Sequence, residues 1–169
     1  GEPIGSGVVP FDNLVFREIT DDEIKKFDNI RQGIDWGYGA DPFAFVRWHY
    51  DKTRRKIYAL DELYRIKLSN REAAEWIKSK GYHTTLTIAD SAEPKSIDEM
   101  KRYGIRIKGA KKGPGSVEYG EKWLDDLNEI VIDPKRTPNI AREFKNIDYQ
   151  VDRDGNIKNK LIDENNHTI

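Results

Sequence analysis

The period of the hydrophobic pattern changes near residue 69, and this change constrains the fold more than any other feature of the sequence. Three runs rich in aromatic and β-branched residues precede it, Ile30–Asp35, Phe43–Tyr50 and Lys56–Tyr64, with short turns between them. Such runs are typical of consecutive antiparallel strands. After residue 69, helical and strand-like segments alternate, and helical crossovers join parallel strands. The sequence therefore predicts an α/β fold, a mixed sheet flanked by helices.

Capping signals indicate where several helices begin. Thr20 with Glu23 and Ser69 with Glu72 form capping-box patterns, and Pro94 suits the first turn of a third helix. The remaining elements that we predict are strands over Leu86–Asp90, Ile105–Lys108 and Glu129–Asp133, helices after Ser116 and Thr137, and a hairpin over residues 149–162 turning at Asp154-Gly155.

We divide the chain into residues 1–28, a linker-like lead-in with one short helix, and residues 29–169, a single domain. The first 19 residues are rich in Gly and Pro. Because the chain starts with Gly1 rather than Met, we expect it to be a piece of a longer polypeptide. No signal peptide opens it and no apolar run is long enough to span a bilayer, so we expect a soluble fragment.

Composition excludes several classes of chemistry. There is no cysteine, which excludes disulfides, thiolate catalysis and cysteine-ligated zinc. The three histidines, His49, His83 and His167, lack the paired spacing of a zinc finger. With 29 Lys and Arg against 30 Asp and Glu, the net charge of −1 does not indicate a nucleic-acid binder. A local basic patch remains compatible with that total.

Two aspartates are the strongest candidates for a metal site. Asp35 ends the first predicted strand and is followed by Gly37 and Gly39, and Asp90 ends the strand after the first crossover helix. If the two strands are parallel neighbours, both carboxylates emerge at the same sheet edge, where α/β folds bind ligands. Oxygen ligands suit Mg²⁺ or Mn²⁺. Either aspartate taken alone is more simply explained as a turn former or a solvated charge.

Three segments carry a resemblance to a known family. They are Gly33-Ile34-Asp35-Trp36-Gly37-Tyr38-Gly39 with Asp41-Pro42, then Ala89-Asp90-Ser91-Ala92-Glu93-Pro94-Lys95-Ser96-Ile97, then Lys111-Lys112-Gly113-Pro114-Gly115-Ser116-Val117. In this order they resemble the nuclease domain of the large terminase subunit of tailed bacteriophages. The resemblance implies an RNase H-like fold with an added β-hairpin. It also implies an endonuclease that cuts double-stranded concatemeric DNA when packaging starts and ends.

The same resemblance assigns the candidate metal ligands. Asp35 and Asp90 are expected to be catalytic and to hold two Mg²⁺ or Mn²⁺ ions for phosphodiester hydrolysis. The family pattern continues with a third acidic ligand, which we expect just after Ile169, and without it we expect the fragment to be impaired.

Several weaker candidates surround this pair. Glu62 is either an outer support of the metal site or a surface acid. Lys95 meets a phosphate or is a solvated first-turn lysine. His167 approaches the metals or is a terminal residue without a role. Glu93 is a possible ligand but better explained as a helix cap, and Trp36 and Tyr38 are candidates to line the cleft.

Basic residues indicate where DNA would bind. Residues 101–112 contain six Lys and Arg residues and no acid. The alternative explanation is a strand whose polar side is basic. The DNA-binding candidates are Lys111, Lys112, Arg153, Lys158 and Lys160.

By the same resemblance, the expected partners are double-stranded DNA, an ATPase domain upstream in the same chain, the portal protein and the small terminase subunit. The expected location is the cytoplasm of the infected bacterium. Two alternatives stay open: another RNase H-like nuclease, such as a Holliday junction resolvase, and a non-catalytic module that docks on DNA or the portal.

Overall fold

The computed structural model describes residues 12–37, 41–110 and 122–146, which form one seven-stranded sheet with helices on both faces. The strands are β1 (Leu14–Phe16), β2 (Ile30–Asp35), β3 (Phe43–Asp51), β4 (Lys56–Arg65), β5 (Thr87–Asp90), β6 (Ile107–Ala110) and β7 (Glu129–Ile132). The helices are α1 (Asp21–Lys25), α2 (Asn70–Ser79), α3 (Pro94–Arg102), α4 (described over 122–126) and α5 (Pro138–Lys145). Among these described helices, none has the length and apolar character needed to cross a membrane.

The strand directions confirm the predicted mixed sheet. The strand order is β1-β7-β4-β3-β2-β5-β6. β3 pairs antiparallel with both β2 and β4, whereas β5 and β6 extend the sheet from β2 in parallel. β7 pairs in parallel with β4 and β1. In the described part of the chain, β3 is therefore the one strand that runs against the others.

Each face of the sheet buries its own hydrophobic core. On one face, α5 packs Ile140, Ala141 and Phe144 onto Val46 and Trp48 of β3. On the other face, the buried side chains of α2 and α3 cover β2, β3 and β5. They are Ala73, Ala74, Ile77, Ile97 and Met100. We call these two sides of the sheet the α5 face and the α2–α3 face.

The two predicted capping boxes are confirmed. In both capping boxes the N-cap hydroxyl accepts the N3 backbone N–H and the N3 glutamate accepts the N-cap N–H. Such reciprocal bonds satisfy donors that a helix start leaves without partners. Gly81 follows α2 with φ of +78°, a left-handed conformation in which a residue with a Cβ would be strained. The local sequence thus determines where α1 and α2 begin and where α2 ends.

Three expectations about local structure are wrong. The lead-in contains a strand, because β1 pairs in parallel with β7 and belongs to the same sheet as the rest of the described chain. The strand expected over Ile105–Lys108 starts two residues later as β6. Glu93 occupies the N-cap position of α3, but its side chain makes no capping bond there. The predicted helix start at Ser116 and the hairpin over 149–162 lie outside the described residues.

The start of α5 is held by an acid from the sheet rather than by its own N-cap residue. Thr137 makes no side-chain capping bond. Glu62 of β4 instead accepts the backbone N–H groups of Asn139 and Ile140, each at 2.9 Å, together with the side-chain amide of Asn139. A carboxylate at a helix N-terminus also interacts favourably with the helix dipole. Glu62 therefore attaches α5 to the sheet.

We predict that Glu62→Ala lowers the free energy of unfolding by about 1–3 kcal/mol, because it leaves part-buried backbone donors without an acceptor. Urea denaturation would measure the loss. Glu62→Gln, which keeps one acceptor oxygen, should be intermediate. The control is Glu75→Ala, since the Glu75 carboxylate is exposed and pairs with Arg71 on the same helix. Equal stabilities of Glu62→Ala and Glu75→Ala would contradict the capping role.

Candidate metal centre

Asp35 and Asp90 are the last residues of two hydrogen-bonded parallel strands. The β2–β5 register pairs Gln32 with Thr87 and Ile34 with Ala89, so the next residue of each strand is the aspartate. Neighbouring strands lie about 4.8 Å apart. The predicted meeting of the two acids at one edge of the sheet is therefore confirmed.

The two carboxylates also share one face of the sheet. Ile34 and Ala89 both belong to the core under α2 and α3. Successive side chains of a strand point to opposite faces, so Asp35 and Asp90 lie on the α5 face. Both residues are half-buried. The pair thus combines a common edge with a common face, which one cation needs in order to reach both acids.

Three hydrogen bonds hold Asp90 and Ser91, the residue that follows it. The backbone N–H of Ala92 donates to its Oδ1 at 2.9 Å, which orients the carboxylate. The backbone N–H of Ser91 donates to the carbonyl oxygen of Ala110 in β6 at 3.3 Å. The indole Nε1–H of Trp36 donates to the Asp90 carbonyl oxygen at 2.9 Å. Since a carboxylate has about four acceptor positions, the bond from Ala92 leaves Asp90 able to bind a cation.

A small cavity lies on the α2–α3 face, lined by residues that follow β2 and by the start of α3. Its volume is about 240 Å³ and its lining includes Trp36, Asp41, Lys67 and Glu93. Gly37 also lines it, and a Cβ at this position would lie 2.4 Å from the Asp41 carbonyl oxygen. A larger cavity of about 520 Å³ lies where β3 turns into β4, at the opposite end of the sheet. The smaller cavity is therefore at the same end of the sheet as the two acids, although neither acid lines it.

Tyr64 is a titratable neighbour of the acids on the α5 face. It pairs with Ala44, which pairs with Asp35, so the three residues form one row across β4, β3 and β2. Its hydroxyl donates to Glu143 at 3.4 Å. Burial and the nearby Glu143 raise the pKa of Tyr64 above its ordinary value. Tyr64 therefore stays neutral at physiological pH and adds no negative charge to this face.

The donor set fits a divalent cation that has further ligands. Two carboxylate oxygens bound to one Mg²⁺ at about 2.1 Å lie at most about 4.2 Å apart, a separation that adjacent strand-end aspartates can reach. Within residues 12–37, 41–110 and 122–146, no three acidic or histidine side chains group closely enough to hold an ion. The predicted third ligand, after Ile169, is not among these residues.

The other predicted site residues are dispersed. Glu62 shares the α5 face but caps α5. Lys95 is exposed in the first turn of α3, and Ser96 donates a weak bond of 3.5 Å to Glu93. Trp36 is 8% exposed and lines the small cavity. Two expected residues, Tyr38 and His167, lie outside the described part of the chain.

The described basic residues of segment 101–112 lie on both sides of the sheet. Lys101 and Arg102 end α3 and are exposed beside the α2–α3 face. Lys108 pairs with Ile88, and Ile107 lies in the core under α3, so Lys108 points to the α5 face with Asp90. Lys108 is also exposed. The five DNA-binding candidates, Lys111, Lys112, Arg153, Lys158 and Lys160, lie outside the described residues.

Sequence reasoning missed two features of this region. One is the bond from the Trp36 indole to the strand that carries Asp90, for which the sequence holds no local signal because the partners are 54 residues apart. The other is that Lys108 shares a face with Asp90. The alternation of Ile105 and Ile107 with Arg106 and Lys108 in the predicted strand is the signal that could have indicated it.

Comparisons with known proteins agree with this geometry. Residues 35–169 match the family described as the terminase RNase H-like domain. The chain is 60% identical over 173 residues to the large terminase subunit of Bacillus phage SPP1, covering 100% of this chain and 41% of that protein. It is 30% identical over 139 residues to the PBSX phage large terminase subunit of Bacillus subtilis strain 168, covering 82% and 32%. The chain thus spans about two fifths or less of these relatives.

Solved structures show the same fold. The SPP1 large terminase nuclease domain with bound Mn aligns with a TM-score of 0.89 at 52% identity, covering 96% of this chain and 100% of that one. The P22 large terminase nuclease domain aligns with a TM-score of 0.62 at 17% identity, covering 81% and 75%. The mixed sheet with two strand-end acids is therefore that of an RNase H-like domain. The chain belongs to the terminase RNase H-like domain family, which includes the nuclease domains of large terminase subunits.

We predict that replacing either acid hardly changes the melting temperature of the metal-free chain. The replacement should, however, reduce the rise in melting temperature that Mn²⁺ causes. Asp35→Asn or Asp90→Asn removes repulsion between two like charges, so the melting temperature without metal should stay equal or rise. A ligand at 100 times its Kd stabilises a protein by about 2.7 kcal/mol, so Mn²⁺ should raise the melting temperature of the unchanged chain. This rise should shrink in both variants. Asp98→Asn, at an exposed position of α3, is the control, and an equal response in all chains would argue against the assignment.

Proposed function

We propose that this chain is the endonuclease domain of a viral DNA-packaging motor. It cuts double-stranded concatemeric DNA at the start and the end of packaging. The observation that carries the proposal is the in-register pair Asp35 and Asp90, on one face and one edge of the sheet, in a member of the terminase family. Two such carboxylates suit cations that assist phosphoryl transfer.

The proposed metal site comprises Asp35, Asp90 and an aspartate that follows Ile169 in the natural sequence, together holding two Mg²⁺ or Mn²⁺ ions. Bound there, the ions would activate water and stabilise the leaving oxygen. Support comes from the Mn bound to the SPP1 nuclease domain. Within this chain, the Ala92 N–H orients the Asp90 carboxylate for that role.

The proposed DNA contacts lie around this edge of the sheet. Lys108, exposed on the face that carries Asp90, is well placed to meet a backbone phosphate. The further proposed contacts are Lys95, Lys111, Lys112, Arg153, Lys158, Lys160 and His167. Phosphate contacts of this kind supply affinity without sequence preference.

The proposed partners follow from the larger relatives. The chain matches 41% of the SPP1 large terminase subunit. We propose that an ATPase domain precedes it in the natural protein. We also propose that the portal protein and the small terminase subunit bind the assembled motor, which works in the cytoplasm of the infected bacterium.

A plasmid-nicking assay with Mn²⁺ tests the proposal. The natural chain that includes the residue after Ile169 should cut, and Asp35→Ala and Asp90→Ala should each reduce the rate by at least about 100-fold, because each removes a ligand of the metals that do the chemistry. Asp98→Ala is the matched control. If both variants cut as fast as the unchanged chain, the assigned site is wrong.

The same assay separates the alternatives. Linear duplex and a four-way junction are compared at equal concentration. We expect no strong preference for the junction, since the proposed contacts read the phosphate backbone. A strong junction preference would indicate a resolvase. Binding without any cutting would indicate a docking module.

We predict that Lys108→Ala weakens binding to a short duplex about 3- to 10-fold and reduces the slope of log affinity against log salt by about 1, as expected for one lost phosphate contact. Fluorescence anisotropy at several salt concentrations would measure both quantities. Lys101→Ala is the control, because Lys101 is also an exposed lysine but belongs to α3 on the other side of the sheet. Equal effects of the two changes would show that the duplex does not bind preferentially to the α5 face.

A further inference from the structure

Trp36 connects the two strands that carry the acids. It follows Asp35 directly, and its indole Nε1–H donates to the backbone oxygen of Asp90 at 2.9 Å. The last register pair of β2 and β5 is Ile34 with Ala89. The indole bond therefore continues the attachment between the strands beyond that pair, at the level where both carboxylates leave the backbone.

The surroundings of Trp36 hold the indole in place. The side chain is 8% exposed and belongs to the core under α2 and α3. Its ring lies 6.0 Å from that of Phe43 at an angle of 59°. The next residue, Gly37, has no room for a Cβ because the backbone of Asp41 and Phe43 returns against it. A ring packed in this way has little freedom to turn away from Asp90.

Loss of the indole hydrogen bond would also destabilise the fold. An indole N–H that is buried needs an acceptor, and a donor left without one costs about 1–3 kcal/mol. The acceptor here is the main chain of Asp90 itself, not a side chain that could rotate away. A shift of Asp90 relative to Asp35 would stretch this bond, so the bond resists such a shift.

We propose that Trp36 is a positioning residue for the metal site, which sets the separation of the Asp35 and Asp90 carboxylates. The inference rests on the proposed function, because it assumes that both acids bind the metals. Metal sites require ligand distances within about 0.2 Å of their ideal values. A link between the backbones of two ligands controls this separation more directly than packing alone.

Three variants of the natural chain test the inference by calorimetric Mn²⁺ titration. Trp36→Phe removes the N–H and part of the ring. Replacement of Trp36 by β-(3-benzothienyl)alanine keeps the bicyclic shape and removes only the N–H donor. Trp76→Phe is the control, since Trp76 packs on the same core from α2, against Phe45 and Tyr82.

We expect both Trp36 variants to bind Mn²⁺ about 10-fold more weakly, the lower end of what changes around metal ligands cause. The metal concentration needed for half-maximal cutting should rise by the same factor, and Trp76→Phe should change neither quantity. If the benzothienyl variant binds Mn²⁺ like the unchanged chain, Trp36 has only a packing role and the inference is wrong.

The titration separates failure of the inference from failure of the proposed function. If Asp35→Ala and Asp90→Ala abolish Mn²⁺ binding while the Trp36 variants do not weaken it, the metal site stands and the positioning role falls. If the unchanged chain does not bind Mn²⁺, or both aspartate variants bind it normally, the site assignment falls and the inference falls with it. Should Trp36→Phe fail to fold, the benzothienyl variant decides.

Discussion

The parallel, in-register pairing of β2 with β5 is the constraint on which the candidate site depends. It brings two residues far apart in the sequence to one edge and one face of the sheet. The pairing in turn requires that α2 carry the chain across the sheet, since parallel neighbours cannot be joined by a tight turn. The capping box at Ser69 and the left-handed Gly81 define the two ends of α2. They therefore help to bring β5 beside β2, although neither residue lies at the site. A slip of one residue between β2 and β5 would place the carboxylates on opposite faces.

The two faces of the sheet are used differently. The α2–α3 face contains the hydrophobic core formed by Ile34 and Ala89, the neighbours of the two acids in sequence. The indole of Trp36 packs in the same core. The α5 face carries the acids themselves, together with the neutral Tyr64 and with Glu62, whose carboxylate caps α5. Lys108 adds an exposed positive charge to the face that carries Asp90. The net charge of −1 for the whole chain does not show this local arrangement.

Much of the architecture could be predicted because it depends on local signals. Alternating hydrophobic runs predicted the strands, and capping residues predicted the helix starts. What could not be predicted depends on contacts between distant residues. β1 is only three residues long, and its pairing with β7 leaves no periodic pattern of its own. The capping of α5 by Glu62 and the Trp36 bond to Asp90 each join residues more than 50 positions apart. The roles of Asp35 and Asp90 in metal binding stay predictions.

The outer strands of the sheet have a consequence for self-association. β1 has three residues and β6 has four, so the described part of the sheet offers little unpaired backbone at either edge. Lys108 places a charge within β6, and the Lys145 ammonium lies 5.0 Å from the ring centre of Phe16 on β1. Short edges with charged side chains disfavour strand-to-strand aggregation. Two copies of this domain would therefore resist joining into a continuous sheet through β1 or β6.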